Sequence, residues 1–187
     1  GLINPPYSQK DHVELEFVEN LLDILTTGGT GVVVVPMSCA IGTKFKEVRE
    51  RLFKKHTLKA VFSMPDDIFY SNNASTNVCV MVWEAHKPHN EKNNTFFGFY
   101  KDDGFVKAKK LGRIDKFNKW NTIKNEWVDL YRDKEVKEGL TAKHPVTWKD
   151  EWLCEAYMKT DYSKLSQADF QRTVNSYLAY LIKEGNK

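Results

Sequence analysis

Cysteine is scarce in this sequence, and its spacing excludes two common uses of the residue. The chain has 187 residues and 3 cysteines, at positions 39, 79 and 154, with no Cys-x-x-Cys pair. An odd number of widely separated cysteines argues against both a disulfide framework and a zinc site. We therefore expect the protein to work in a reducing compartment, and the cytoplasm fits best.

Long apolar runs are also missing. No stretch approaches the ~20 apolar residues of a membrane-spanning helix, and the amino terminus lacks the basic-then-apolar pattern of a secretion signal. Hydrophobic residues still make up 41% of the chain, which predicts a soluble protein with a real core. The formal net charge of +3 permits a nucleic-acid partner without requiring one.

The most informative stretch that is present is Asn4-Pro5-Pro6-Tyr7. The apolar pair Leu2-Ile3 precedes it like the end of a buried strand, and a polar stretch follows it like the entry to a helix. The tetrapeptide is therefore predicted at the carboxyl end of a strand. Ligands bind at that end of the strands in open α/β sheets.

Each residue type of the tetrapeptide has a chemical use there. Pro6 favours an extended conformation at Pro5, and neither proline has an N–H, so the local carbonyl groups are held in place. Asn4 adds a side-chain carbonyl, so the corner offers two acceptors to a planar amino group. Tyr7 supplies a face on which a flat heterocycle can stack. An ordinary turn remains the alternative, because Asn and Pro are common turn residues.

Hydrophobic periodicity predicts an α/β fold for the first part of the chain. The apolar stretches at 32–35 and 77–83 are typical of strands that are buried on both faces. The predicted order is a helix over 11–26, a strand over 32–35, a helix over 44–55, and strands over 58–62 and 77–83.

The pattern changes after residue 112, where helical spacing takes over. Apolar residues recur at helical spacing over 118–131 and 148–157, and Ser166 with Asp169 has the spacing of a capping box before a final helix. We predict one domain over residues 1–112 and a helical tail over 113–187.

Four basic residues lie near a predicted hairpin. Residues 96–100 and 105–108 are joined through an Asp-Gly pair, which favours a tight turn. The basic residues are Lys107, Lys109, Lys110 and Arg113. Because aromatic residues are interleaved with them, this segment is a candidate contact for a phosphate backbone. A solvated face beside the hairpin is the alternative.

Phe69 is a candidate for a second aromatic surface. It stands in a polar loop between two predicted strands, where it can flank a base that is held by Tyr7. Anchoring of the loop to the core is the alternative. Asp66 and Asp67, just before it, are more typical of turn caps than of an acid–base pair.

Two other patterns are interpreted as structural. The glycines at 28–31 follow a predicted helix and precede a strand, which is the reverse of a nucleotide-binding loop. His86 and His89 have no nearby Cys or carboxylate to complete a metal site, so we expect surface histidines and no metal.

The order of these pieces resembles the amino-methylating DNA adenine methyltransferases, above all the modification subunits of type I and related restriction systems. The resemblance covers about residues 2–110. It implies that Asn4, Pro5, Pro6 and Tyr7 are the catalytic tetrapeptide, and that Phe69 is the aromatic residue that contacts a flipped adenine. It also implies the C-terminal half of a doubly wound, S-adenosylmethionine-dependent methyltransferase sheet.

The resemblance further implies partners and a location. The partners would be double-stranded DNA and the specificity and restriction subunits of a restriction-modification system, in the cytoplasm of a bacterium or an archaeon. In that family the glycine-rich cofactor loop and the acidic residue for the ribose precede the tetrapeptide, and this chain lacks them. We therefore expect a fragment that is inactive alone, with an exposed sheet edge at Leu2-Ile3 that favours self-association.

Two alternative functions follow from the same residues. Methyltransferases that act on a protein glutamine amide or on an RNA base have a similar tetrapeptide, and a glutamine amide also presents a planar NH₂ group. The second alternative is a non-catalytic fragment that binds DNA or a partner.

Overall fold

The computed structural model describes residues 1–7, 13–69, 76–108, 111–159 and 166–185. The strands are β1 (Leu2–Ile3), β2 (Thr30–Pro36), β3 (Thr57–Ser63), β4 (Val78–Glu84), β5 (Asn94–Phe99), β6 (Val106–Ala108), β7 (Gly112–Ile114) and β8 (Thr141–Pro145). The helices are α1 (Glu14–Asp23), α2 (Ser38–Ile41), α3 (Lys46–Lys55), α4 (Trp120–Asp133) and α5 (Gln167–Gly185). Short 3₁₀ turns cover Thr43–Phe45 and Cys154–Ala156.

Within these residues, six strands form the main sheet in the order β1-β2-β4-β3-β5-β8. Strand β1 is parallel to β2, and β3 is parallel to β5, whereas β4 and β8 are antiparallel to their neighbours. Strands β1, β2, β3 and β5 therefore all run in one direction. The predicted α/β class is confirmed, and so is the central position of the strand that begins after Asn77.

The valine-rich strand β2 is interior because its neighbours β1 and β4 flank it on both sides. Val33 and Val35 are fully buried, and helix α1 covers them with Leu22, which is also fully buried. A Cβ atom on Gly31 would lie 2.5 Å from Cδ2 of Leu22. Glycine at that position therefore lets the helix pack directly on the strand.

The sheet carries a hydrophobic core on each face. The larger core holds α1 and α3 together with Trp83 and Trp152. The smaller core, on the other face, holds Phe62, Tyr100 and Trp127 of α4, and the rings of Tyr100 and Trp127 stack 4.5 Å apart. Helices thus cover both faces, as the doubly wound arrangement requires.

The predicted hairpin of residues 96–100 and 105–108 is wrong. Strand β5 pairs with β3 and β8, while β6 pairs with β7 in a separate two-stranded ribbon. Phe96 belongs to one core and Phe97 to the other, so β5 is covered on both faces, and its two strand partners are β3 and β8. The Asp-Gly pair turns the chain out of the sheet instead.

The region predicted as a helical tail also contributes a strand. Helices α4 and α5 lie in it as expected, but β8 adds an edge strand to the main sheet beside β5. Of the second predicted helix, at 148–157, only the 3₁₀ turn Cys154–Ala156 forms. The predicted capping box is confirmed, because the Asp169 amide donates to Oγ of Ser166 over 3.2 Å and the Ser166 amide donates to Oδ2 of Asp169 over 3.1 Å.

The opposite edge of the sheet is β1. Leu2 has a relative exposure of 76%, so the edge predicted at Leu2-Ile3 is present and open within the described residues. None of the described helices is long and apolar enough to cross a membrane.

Candidate functional site

The predicted site residues gather at one edge of the main sheet. Because β1, β2, β3 and β5 run in the same direction, their carboxyl ends meet at that edge. Asn4 follows β1, Met37 follows β2, Asp66 and Phe69 lie in the loop after β3, and Lys101 follows β5. Open α/β sheets bind their ligands at this edge.

The tetrapeptide forms a corner with one buried and two exposed positions. Pro5 is buried, Asn4 and Pro6 are exposed, and Tyr7 is half-buried. The Tyr7 hydroxyl donates to Oδ1 of Asn4 over 2.6 Å and lies 3.4 Å from the carbonyl oxygen of Val34. Burial raises the pKa of Tyr7 to about 12, so the phenol is a neutral donor. The contact turns the Asn4 carbonyl oxygen toward the tyrosine ring.

The structure brings Tyr7 and Phe69 together. Their ring centroids are 6.5 Å apart and their planes are inclined by 70°, which is the edge-to-face arrangement that aromatic pairs prefer. The two aromatic residues that the sequence singled out therefore share one surface beside Asn4.

Ion pairs hold the loop that carries Phe69. Asp66 pairs with the ammonium group of Lys101, which also lies 3.6 Å from Sδ of Met37. Oδ1 of Asp67 lies 2.8 Å from Nε of Arg113. Both aspartates were predicted to be turn caps. The sequence has no local signal for these ion pairs, because the partners Lys101 and Arg113 are more than 30 residues away along the chain.

Arg113, which was predicted to contact a phosphate backbone, binds protein carboxylates instead. Its side chain is only 14% exposed, and Nη2 donates to both carboxylate oxygens of Asp103 at 2.8 and 3.0 Å. The guanidinium group is therefore occupied by protein carboxylates. The Lys107 side chain is more exposed, and Nζ lies 3.6 Å from Oδ2 of Asp67. Lys109 and Lys110 lie outside the described residues.

The tail region reaches the same edge of the sheet. Ser63, the last residue of β3, is fully buried, and its hydroxyl donates to Oε2 of Glu155 over 2.6 Å. The sequence analysis missed this contact because a serine at a strand end and a glutamate in a distant turn have no pattern in common.

The glycine cluster is confirmed as a turn. Gly28 has a φ of +78° and lies between α1 and β2, so no helix begins after the glycines. No group of His, Cys, Asp and Glu suited to a metal ion occurs in the described part of the chain.

One of the two candidate surface histidines is not on the surface. His86 is exposed, but His89 is partly buried and stacks on Phe53 at a centroid distance of 3.9 Å. One ring nitrogen of His89 lies 3.1 Å from the Val146 carbonyl, and the other accepts the Leu58 amide. His89 is therefore a packing residue of the larger core.

The sequence matches the model of the family described as N-6 DNA Methylase over residues 3–184. A curated relative, the type II restriction enzyme and methyltransferase RM.BcgI of Heyndrickxia coagulans, is 30% identical over 96% of this chain. The methylase subunit of the type I restriction enzyme StySJI of Salmonella typhimurium is 32% identical over 44% of this chain. The chain spans 29% of the first relative and 16% of the second.

Two solved structures share the fold. The methyltransferase subunit of a type I restriction-modification system from Streptococcus thermophilus superposes with a TM-score of 0.65 at 16% identity, covering 84% of this chain and 37% of that subunit. A chain from a structure of type I restriction-modification complex assembly superposes with a TM-score of 0.59 at 17% identity, covering 100% of this chain and 45% of its own length. The fold shared with such subunits agrees with the methyltransferase sheet expected from the sequence.

Proposed function

Because this chain belongs to the N-6 DNA methylase family, we propose that it is the part of a DNA adenine-N6 methyltransferase that holds the target base. The enzyme would act in a restriction-modification system. The observation that carries the proposal is the corner at the end of β1, where Asn4 accepts a hydrogen bond from Tyr7 and the Tyr7 ring lies beside Phe69.

The corner can hold an exocyclic amino group by two acceptors. Oδ1 of Asn4 has two lone pairs, so it can accept one N–H of adenine while it keeps the Tyr7 hydroxyl. The backbone carbonyl of Pro5 accepts the other N–H. Two such bonds favour a pyramidal nitrogen, whose lone pair then points at the methyl donor for direct transfer. Transfer would break the bond between the methyl group and sulfur and form the N–C bond, and one N–H proton would then leave past the Asn4 or Pro5 carbonyl oxygen to water. No covalent intermediate on the protein is required.

The Tyr7 ring provides the face on which the adenine stacks, and Phe69 flanks it. Extruding a base from a duplex costs a few kcal/mol, and stacking on an aromatic side chain contributes about 1–3 kcal/mol per base. The free energy of stacking on this aromatic pair is therefore comparable with the cost of flipping the base.

Membership of this family implies the use of S-adenosylmethionine. When it is bound, this cofactor supplies an electrophilic methyl group on a sulfonium. The described residues contribute the substrate side of such a site. They contain no glycine-rich turn from a strand into a helix, since the turn at Gly28 leads from α1 into β2. We infer that most of the cofactor site comes from parts of the enzyme that precede the tetrapeptide.

The proposed partners are double-stranded DNA and the specificity and restriction subunits of the same system. Lys107, together with Lys109 and Lys110, remains the proposed contact for the DNA backbone, whereas Arg113 is assigned to the carboxylates that it binds. The bacterial origin of the methylase relatives supports a place in the cytoplasm of a bacterium.

The direct test uses the full-length protein that contains this chain. Asn4→Ala removes one acceptor, and we expect methyl transfer from radiolabelled S-adenosylmethionine to unmethylated duplex DNA to fall by about 100-fold or more, the scale of losing one positioned polar group in an active site. Asn125→Ala, at an exposed position of α4, is the matched control and should leave the rate unchanged.

The same assay separates the alternatives. Label in DNA that is recovered as N6-methyladenine supports the proposal. Label found only in protein glutamine or in RNA, or an Asn4→Ala variant as active as the unsubstituted protein, contradicts it.

A further inference from the structure

We propose that Asp67 is a positioning residue, which holds Phe69 at the catalytic corner through its ion pair with Arg113. The inference rests on the proposed function, because it assumes that Phe69 flanks the target base. It assigns a role to three charged residues, Asp67, Asp103 and Arg113, that the chemistry of methyl transfer does not use.

Asp67 is close to Phe69 along the chain and to Arg113 in space. It lies two residues before Phe69 in the loop after β3, and Oδ1 lies 2.8 Å from Nε of Arg113. The only backbone bond described within this part of the loop joins the Ile68 amide to the Pro65 carbonyl over 3.3 Å. A single turn does not determine where the Phe69 ring lies, so side-chain contacts must do so.

Arg113 is itself held in place by its contacts with Asp103 and Phe105. Nη2 donates to both oxygens of Asp103, and the side chains of the two residues are 14% and 10% exposed. Oδ1 of Asp103 also accepts the Phe105 amide over 3.0 Å, and the guanidinium carbon lies 5.3 Å from the centre of the Phe105 ring. The loop is therefore attached to a group that cannot move with it.

Aromatic contacts link Phe105, and through it Arg113, to the core. The Phe105 ring packs edge-on against Trp120 at 5.8 Å, and Trp120 packs against Trp127 at 5.7 Å. Trp127 is the residue of α4 that belongs to the smaller core. Contacts therefore run without interruption from that core through the β6–β7 ribbon to the loop that carries Phe69.

Two other ion pairs in the loop contribute less. Nζ of Lys107 lies 3.6 Å from Oδ2 of Asp67, and the Lys107 side chain is 55% exposed. Asp66 pairs with Lys101, but the Asp66 side chain is 66% exposed, against 26% for Asp67. Exposed ion pairs are weakened by solvent and by the entropy of holding both side chains. Asp67 is accordingly the residue to test.

The experiment is a double-mutant cycle in the full-length protein. Asp67→Asn keeps the size of the side chain and removes its charge, and Phe69→Ala removes the ring. For each variant, kcat and KM are measured on a duplex that contains the recognition sequence, which is first established by sequencing the methylated adenines. Flipping of the base is followed by the fluorescence of 2-aminopurine at the target position.

We expect Asp67→Asn to lower kcat/KM and the 2-aminopurine signal about 5-fold when Phe69 is present, within the usual range of coupling between residues that act together. In the Phe69→Ala background the same substitution should change them less than about 2-fold. Arg113→Lys, which keeps the charge and loses the planar fork, should give the same non-additive pattern with a smaller loss.

Glu19→Gln is the matched control, because it removes a charge that joins α1 to α3 instead of one in the loop that carries Phe69. Glu19 lies 2.9 Å from Arg51 and 3.2 Å from Lys55. The substitution should leave both readouts unchanged. A merely structural role for Asp67 would lower activity by the same factor with or without Phe69, and that additive result would overturn the inference.

The outcomes also separate this inference from the proposed function. If Phe69→Ala lowers base flipping and Asp67→Asn does not, only the positioning role fails. If Phe69→Ala has no effect on either readout, the role of Phe69 in the proposed function fails, and the positioning role fails with it.

Discussion

The hydroxyl of Tyr7 donates a 2.6 Å hydrogen bond to the side-chain oxygen of Asn4, so the two side chains orient each other. The bond turns the Asn4 amide oxygen, rather than the amide NH₂, toward the Tyr7 hydroxyl. Under the proposed function Asn4 is the acceptor and Tyr7 the stacking residue, and substitutions should separate these two roles.

Replacing Tyr7 by Phe should have a smaller effect than replacing it by Ala. Tyr7→Phe keeps the ring and removes one hydrogen bond, which is worth about 0.5–1.5 kcal/mol, so we expect kcat to fall by roughly 2- to 10-fold. Tyr7→Ala also removes stacking worth about 1–3 kcal/mol. Single-turnover methyl transfer by the full-length protein measures both, and equal losses would show that the ring face contributes nothing.

The buried Arg49 should be a major contributor to stability. It is 1% exposed, and it donates to the carbonyls of Ala40 over 2.6 Å, Asp150 over 3.0 Å and Gly42 over 3.3 Å. Arg49→Ala leaves buried acceptors unpaired and a cavity beside Trp152, so we expect a loss of about 2–4 kcal/mol in the free energy of unfolding.

Urea denaturation followed by tryptophan fluorescence measures that loss. Arg51→Ala, two residues away with a side chain that is 45% exposed, is the control and should cost less than about 1 kcal/mol. Equal effects of the two substitutions would mean that the carbonyl contacts of Arg49 do not stabilise the fold.

Stability should decrease in mild acid because of buried histidine. Burial lowers the pKa of His56 from its ordinary 6.5, and its Nδ1 accepts the His86 amide over 3.1 Å. The folded state therefore favours the neutral ring although Asp23 lies 3.3 Å away. A lowered pKa in the folded state contributes stability above the unfolded pKa, and that contribution is lost as the pH falls below about 6.5. Burial also lowers the pKa of His89, which adds to the effect.

The free energy of unfolding, measured between pH 7.5 and pH 5, tests this expectation. His56→Asn keeps an acceptor near the His86 amide and removes the titrating group, so the dependence on pH should become weaker. His144→Asn, at an exposed position, is the control. A pH dependence that is the same in the His56→Asn variant would assign the effect to other groups.

The open edge at β1 should promote self-association of the 187-residue chain. Leu2 is 76% exposed on a strand whose outer backbone groups have no strand beside them in the described structure, and such edges pair readily with other chains. Leu2→Lys should shift the particle toward monomer in light scattering. Val128→Lys replaces a residue that is 46% exposed on α4, a helix that packs against β5, so it should leave the mass unchanged. A monomeric unsubstituted chain would contradict the prediction.

Local features of this protein follow from residues that are close together in the sequence. The run of valines at 32–35 predicted a strand, the spacing of Ser166 and Asp169 predicted the cap of α5, and two prolines after Asn4 predicted a stiff corner. These features depend on neighbours a few residues away, and local propensity and periodicity encode them.

Which distant segments meet depends on the packing of the whole chain. The sequence predicted a hairpin at the Asp-Gly pair and a wholly helical tail, whereas β5 pairs with β3 and with the unpredicted strand β8. The contact of Tyr7 with Phe69, and that of Asp67 with Arg113, likewise depend on which strands run side by side. Strand order and direction are set by burying both faces of the sheet at once, and that requirement involves the whole chain, so no local pattern contains it.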